Sequence, residues 1–393
     1  MSLPSDEMYD DTYKNDLFRP PAGAYLNTAA ESPLLRCVAE ALARYAEDKA
    51  LGEPGRQAFE ATISAARRRV AALIEGEPGG VGFCYTASDA VGLLVQSMPW
   101  RDGDRVVVSE IEYPSNLLAW SRLAAGRVGL DLVDAPASEW GTEAVLEKIG
   151  PRTRLVVVSA VSFNTGRRVD LARLKEAVNR QGGWLLVDAT QALGAVRVTA
   201  QEADMIVASA FKWMMGVHGL GVVYCRPEVL AALEPPYAGW RSVDAGRTDG
   251  PYSVAFKPTA EKFEAGMPGF PALYGLEAGL AYLQDRVGIE TVWHRVAALA
   301  GALHDRLAAL GLPLLTPADA QRSAGIICFR HPDAKRVVRS LRERGVFAHA
   351  PAEGVVRFSP HFFNTLTDVA AAAEAVSELV RSGEIRLHGA PEG

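Results

Sequence analysis

Apolar positions along the chain fall into two alternating patterns. Short runs rich in β-branched residues, DRVVVSE (104–110), RLVVVSA (154–160), WLLVDA (184–189), DMIVASA (204–210) and LGVVYC (220–225), are apolar at consecutive positions. Such runs suit strands buried on both faces, as in a mainly parallel sheet covered by helices on each side. Between them, DLARLKEAVNRQG (170–182) places apolar residues at helical spacing and closes on a glycine. TEAVLEKIG (142–150) does the same over a shorter span. Strand–helix–strand alternation predicts a doubly wound α/β domain.

Residues 234–271 break the alternation with a stretch rich in proline and glycine, which predicts a long functional loop region. Helical patterns then cover 272–287 and 290–310, followed by a strand at AGIICFR, a helix over 332–344, a strand at GVVRFSP and a last helix over 366–383. The expected organisation is a large α/β domain over 15–268 and a smaller C-terminal α+β domain over 269–393. The N-terminal segment is free to pack on the small domain.

Composition narrows the function classes. The 393 residues are 49% hydrophobic and 22% charged, as expected for a soluble globular chain with a sizeable core. The net charge of −6 and the lack of basic blocks beyond Arg67-Arg68-Arg69 argue against nucleic acid as a partner. Cys37, Cys84, Cys225 and Cys328 lie far apart without metal-ligand spacing, so they read as core residues of a reducing compartment, and no metal is expected. The start, MSLPSDEMYDD, lacks a basic-then-apolar signal pattern, and no apolar run is long enough to span a bilayer. A cytoplasmic location without membrane attachment is expected.

In open α/β sheets, ligands gather beyond the carboxyl ends of the strands. WLLVDATQALG ends a strand on Asp188 with Gln191 three residues on, and DMIVASAFK leads to Ser209 and Lys212. GFCYTASDAVGLLVQ sets Thr86, Ala87 and Ser88 where a strand turns into a helix, an arrangement of free N–H groups and a hydroxyl that suits an anion. SAVSFNTGRRVDL puts Ser162 and Asn164 past a fourth strand. By itself Lys212 reads as a stem packed along apolar surface, and Asp188 as a helix cap. Taken together, these residues suit pyridoxal phosphate, which needs a lysine for its aldehyde, an acid for its ring nitrogen and an anion site for its phosphate. The glycines of GVHGLG precede an apolar run rather than following one, which does not fit a dinucleotide fingerprint.

At these residues the chain resembles the class V aminotransferases of pyridoxal-phosphate fold type I, which include cysteine desulfurases, kynureninases and isopenicillin-N-epimerase-like proteins. The resemblance spans roughly residues 24 to 380 and rests on Val187-Asp188-Ala189-Thr190-Gln191-Ala192-Leu193-Gly194. It rests equally on Ser209-Ala210-Phe211-Lys212-Trp213 with Gly216, Gly219 and Gly221. It implies that Lys212 carries the Schiff base, Asp188 pairs with the ring nitrogen, Gln191 lies on the phenolic-oxygen side and Ser209 binds phosphate. TASDA stands at the phosphate-binding turn, implying Ala87 and Ser88, while Asn164 matches an asparagine beside the ring. EYPSN resembles a segment whose residue before proline, here Tyr113, stacks on the ring. VVRFSPHFFNT resembles the segment whose arginine, Arg357, clamps the substrate α-carboxylate. PPYAGWRSV resembles a segment that reaches the phosphate from a neighbouring subunit, implying a homodimer with Trp240 at the interface.

The departures are specific. Desulfurases carry a nucleophilic cysteine shortly before this arginine, and here GVFAHAPAEGVVR has none. Met267 stands where the family commonly has a threonine. The expectation is an enzyme working at the α-carbon of an amino-acid-like substrate by aminotransferase chemistry. Epimerisation and β-elimination or C–S lysis stand as alternatives, desulfuration ranks behind them, and a cofactor-binding protein without turnover is the non-enzymatic alternative. His349 and His361 are open between substrate-side acid–base and structural roles, and His218 between a contact to the cofactor region and a structural role.

Overall fold

The computed structural model describes residues 11–120, 128–244, 254–319 and 321–386. Its strands are β1 (Ala24–Tyr25), β2 (Val81–Cys84), β3 (Arg105–Ser109), β4 (Gly129–Val133), β5 (Thr153–Ser159) and β6 (Trp184–Asp188). They continue with β7 (Met205–Ser209), β8 (Gly221–Cys225), β9 (Ile327–Arg330), β10 (Val346–Phe347) and β11 (Val355–Phe358). The helices are α1 (Arg36–Ala50), α2 (Arg56–Leu73), α3 (Ala87–Ser97), α4 (Pro114–Leu118), α5 (Thr142–Leu146) and α6 (Leu171–Arg180). After them come α7 (Pro227–Ala232), α8 (Phe270–Ala281), α9 (Ile289–Ala309), α10 (Ala334–Glu343) and α11 (Leu366–Arg381), with a π-helical turn at Tyr282–Val287 continuing α8.

Seven strands form one sheet in the order β2-β8-β7-β6-β5-β3-β4. Only β8 runs against its neighbours, pairing antiparallel with both β2 and β7. The runs apolar at consecutive positions became its middle strands: β6, β7 and β8 bury nearly every side chain because helices cover both faces. On one face lie α1, α2, α6 and α8, and on the other α3 and α7. Helix α6 is strongly amphipathic and starts where Asp170 accepts a bond from the Arg173 N–H at 3.1 Å.

A second core joins β9, β11, α10, α11 and the later half of α9, including Leu299, Leu303 and Leu307. Ala24 and Leu26 also pack there, and β1 pairs parallel with β10. Val292 and Val296, earlier in α9, belong instead to the core under the large sheet, so this one helix spans both cores. Parallel neighbours β5 and β6 end level, with Ser159 opposite Asp188, and β7 ends nearby on Ser209. That shared edge is where the sequence concentrates its polar residues. Among the described residues, no helix is long and apolar enough to cross a membrane.

Candidate active site

A cavity of ≈ 190 Å³ opens over this edge, with Asp188, Gln191, Ser209 and Lys212 in its wall. Tyr113, Ala87 and Ser88 complete the opposite side. Helix α3 presents its N-terminus here because Thr86 caps it, accepting a bond from the Asp89 N–H at 3.0 Å. Asp89 in turn accepts from the Thr86 hydroxyl at 2.7 Å, which turns the acid toward the cap. Strand β8 crosses close beneath this turn. A Cβ on Gly221 would stand 2.3 Å from the Thr86 carbonyl carbon, so only glycine fits.

Asp188 is buried, with both oxygens held. Thr190 N–H donates to Oδ1 at 2.9 Å and the Asn116 side chain to Oδ2 at 3.1 Å. Thr190 also accepts from the Ser209 N–H at 3.2 Å, tying the ends of β6 and β7 together. Gln191 is fixed between layers, donating to the Ala29 carbonyl at 3.0 Å and accepting from the Trp213 indole at 2.8 Å. Gly194 has a φ of +97°, and a Cβ there would sit 2.1 Å from the Trp213 carbonyl oxygen. The two sequence segments that singled out this site therefore pack directly on one another.

Lys212 is half-buried, its Nζ 5.6 Å from the centroid of the Tyr113 ring and 5.5 Å from that of Phe211. Burial lowers its pKa to about 8, aided by the Arg357 guanidinium, while Asp188 and Glu31 pull upward. Arg357 lies beneath, only 2% exposed, on β11. Its Nη1 donates to the Phe163 carbonyl at 2.9 Å, and its Nε is buried without a partner. Burial brings its pKa down to about 10.

Three of the expected site residues stand outside the cavity wall. Asn164 accepts a bond from the Ser162 hydroxyl at 2.7 Å, and its neighbour Phe163 forms the wall instead. Arg357 reaches the cavity only through Phe163. Trp240 is 65% exposed on the surface. Met267 lines an adjoining groove, its carbonyl accepting from the Tyr85 hydroxyl at 3.2 Å. The loop region 234–271 that surrounds these residues includes 245–253, which lie outside the described residues.

The histidines separate by environment. His361 is fully buried, and its Nε2 donates to the Trp213 carbonyl at 3.0 Å, bracing the lysine segment from below. Burial lowers its pKa to about 3, so it stays neutral. His349 pairs backbone to backbone with Arg357, and burial together with Arg357 lowers its pKa to about 4. His218 stacks on Phe211 with centroids 4.2 Å apart and meets Glu31 at 3.1 Å.

Sequence reasoning missed Glu112, Asn116 and Ser159. Glu112 is buried and accepts bonds from the Ser159 N–H at 2.7 Å, the Ser159 hydroxyl and the Asn116 side chain at 3.0 Å. Burial raises its pKa, and the nearby Asp188 adds to the rise. EYPSN carries both Glu112 and Asn116, but Glu112 precedes the helix that starts at Pro114, so helical spacing gives no signal for the pair.

Similarity to known proteins identifies the family and the fold. Residues 24–371 match the family model described as aminotransferase class-V. A probable cysteine desulfurase of Pyrococcus abyssi is 30% identical over 338 residues, covering 80% of this chain and 82% of the relative. An uncharacterized aminotransferase of Bacillus subtilis is 27% identical over 358 residues, covering 90% and 93%. Among solved structures, the apo cysteine desulfurase of Thermococcus onnurineus NA1 has a TM-score of 0.86 at 24% identity, covering 97% of this chain and 100% of that one. A cystine C-S lyase in complex with its reaction product cysteine persulfide has a TM-score of 0.82 at 20% identity, covering 91% and 97%. These likenesses show the shared fold, fold type I. The chain belongs to the aminotransferase class-V family and is a pyridoxal-phosphate-dependent enzyme.

Proposed function

We propose that the enzyme works at the α-carbon of an amino-acid-like substrate and that aminotransferase chemistry is its outcome. The observation that carries this is a single cavity wall holding Lys212, Asp188, Gln191, Ser209 and the free N-terminus of α3. These residues fit the cofactor: Gly221 leaves a cradle under the α3 turn that a side chain would fill. The α3 N–H groups, Ser88 and Ser209 would hold the phosphate, Asp188 would pair with the ring nitrogen, and Lys212 would hold the aldehyde. Tyr113 would cover the ring and Gln191 would lie on its phenolic-oxygen side, whereas Asn164 stands behind the wall that Phe163 forms. When bound, the cofactor supplies an aldehyde that condenses with amines and a ring that draws electrons from the α-carbon.

The chain supplies the rest. Arg357 is the residue for the substrate carboxylate, and because it stands behind Phe163, the carboxylate must take the place of the Phe163 carbonyl to use its guanidinium and unspent Nε. With its amine free, Lys212 would take the proton from the α-carbon. A pKa of about 8 leaves part of the amine neutral near pH 7, so it can accept that proton. Phe163, Phe211 and Tyr113 line the cavity beside Lys212 with aromatic surface. Aminotransferase chemistry needs no further specialised residue.

A β-eliminating reading is second, favoured by relatives named cysteine desulfurase and by the cystine C-S lyase fold neighbour. An enzyme-borne persulfide is disfavoured. Residues 349–357 hold no cysteine, and burial raises the pKa of all four thiols, those of Cys84 and Cys328 to about 12. The holoenzyme should be incubated with a panel of amino acids, with and without pyruvate. Keto acid formed only with pyruvate supports transamination, ammonia with a keto acid supports elimination, and racemisation alone supports epimerisation.

The enzyme acts as a homodimer. Tyr85, Tyr237 and Met267 expose apolar surface around one groove that also reaches Ser88 of the α3 turn, and Trp240 is exposed on the same loop region. Light scattering should give twice the chain mass.

A further inference from the structure

A second carboxyl group stands behind the site, and nothing in the proposed chemistry uses it. Glu112 lies buried in the turn between β3 and α4, only 5% exposed. Burying a carboxyl without a cation is costly. Among the described residues none ion-pairs with it, and its three bonds come from Ser159 and Asn116, both neutral. Glu264, the other deeply buried glutamate of this half of the fold, instead meets Arg67 at 2.8 Å.

The Asn116 amide connects this carboxyl to the site. Its Nδ2 donates one hydrogen to Glu112 at 3.0 Å and the other to Asp188 at 3.1 Å. Both contacts fall on acceptors, so the amide has one favourable orientation. Keeping it leaves the Asn116 Oδ1 buried without a partner, a penalty that a simple packing residue would shed. The Asn116 carbonyl is held as well, by the Trp120 indole at 2.5 Å. With Thr190 on its other oxygen, Asp188 is gripped on both sides and cannot swing in the plane of the β6 end.

We propose that Glu112 is a positioning residue that, through Asn116, aims the Asp188 carboxylate at the ring nitrogen of the bound cofactor. The inference rests on the reading of Asp188 given above and adds a residue behind it. Glu112→Gln keeps the volume but turns an NH₂ group toward the donors of either Ser159 or Asn116. The Asn116 amide then rotates or withdraws, Asp188 loosens, and the ring nitrogen loses its proton more readily.

The test uses holoenzyme carrying pyridoxal phosphate isotopically labelled at its ring nitrogen. The NMR shift of that nitrogen reports its protonation directly, which a merely structural glutamate would not move. In E112Q the shift should move toward the unprotonated ring, and exchange of a substrate α-proton with deuterated solvent should slow roughly tenfold to a hundredfold. Glu112→Asp, which keeps an acceptor for Asn116, should recover part of both. Asn116→Ala removes the link itself and should displace the shift the same way, so it decides the matter if E112Q fails to fold. An unmoved ring-nitrogen shift in folded E112Q or N116A overturns the inference. Borohydride labelling of Lys212 in the wild type keeps the two readings apart: no label sinks the proposed function, whereas a label with an unmoved variant shift sinks this inference alone.

Discussion

Glu112 and Glu264 are both buried carboxyls whose pKa burial raises, yet they serve different regions in different ways. Glu264 faces Arg67 at 2.8 Å and Arg241 at 3.6 Å, and accepts from the Phe83 N–H at 3.2 Å. Arg241 also binds Glu60 through two 2.9 Å bonds, and Arg67 reaches the Val81 carbonyl. This charged cluster fastens the proline-rich loop region onto α2 and β2. Glu112 has neutral donors only and shares one of them with Asp188. A buried acid neutralised by arginines secures a fold, whereas one that shares a donor with a site carboxylate has its consequence at the site.

The comparison breaks most sharply at Lys212. Lys212→Ala should slow turnover roughly 10²–10⁴-fold, the share expected of a lost proton carrier, and remove the borohydride label, as read by steady-state assay and peptide mapping. On the structural side, Glu264→Ala removes the nearest carboxylate from the buried Arg67 and leaves it only Glu261 at 3.5 Å and the Val81 carbonyl. Denaturant melts should show a loss of ~3–5 kcal/mol, with the Lys212 label retained in the folded fraction. Arg357→Ala should raise KM by roughly tenfold to a hundredfold for substrates with an α-carboxylate and leave amines without one nearly unaffected.

A smaller effect comes from His361. Its pKa of about 3 in the folded chain lies below the ordinary 6.5, so only the unfolded chain takes up a proton between those values. Its contribution to stability is therefore complete above about pH 6.5 and is lost as pH falls toward 3, at up to ~1.4 kcal/mol per pH unit. His361→Gln, which keeps a donor for the Trp213 carbonyl, should flatten the slope of stability against pH over that window. Trp240→Ala should have the least effect on the melting of one subunit, and its consequence should appear in light scattering as dissociation.

The strand-end residues were legible because they follow apolar runs. Asp188, Ser209 and Lys212 come directly after the stretches that bury both faces, and a parallel sheet brings its carboxyl ends to one edge. Gln191 and Gly194 follow from the same segment, and the packing of Gly194 on Trp213 shows why that spacing matters. Glu112 was not legible in this way. A lone glutamate in a turn is normally solvated, and only the meeting of β5, β6 and α4 encloses it. His361 lay near the arginine in sequence, and its role became apparent only from the Trp213 carbonyl 148 residues away in the chain.

The sequence determined the order of elements, the parallel sheet and the set of residues delivered to its edge. These depend on local periodicity and on caps such as Thr86 and Asp170, which act within a few residues. Tertiary structure decided which polar groups are shared. Asn116 bridges two carboxyls, Arg357 reaches the cavity through the Phe163 carbonyl, and Trp213 joins Gln191 to His361. The physical reason is that the cost of an unpaired buried polar group is settled by whatever the fold packs beside it, and those partners come from distant parts of the chain.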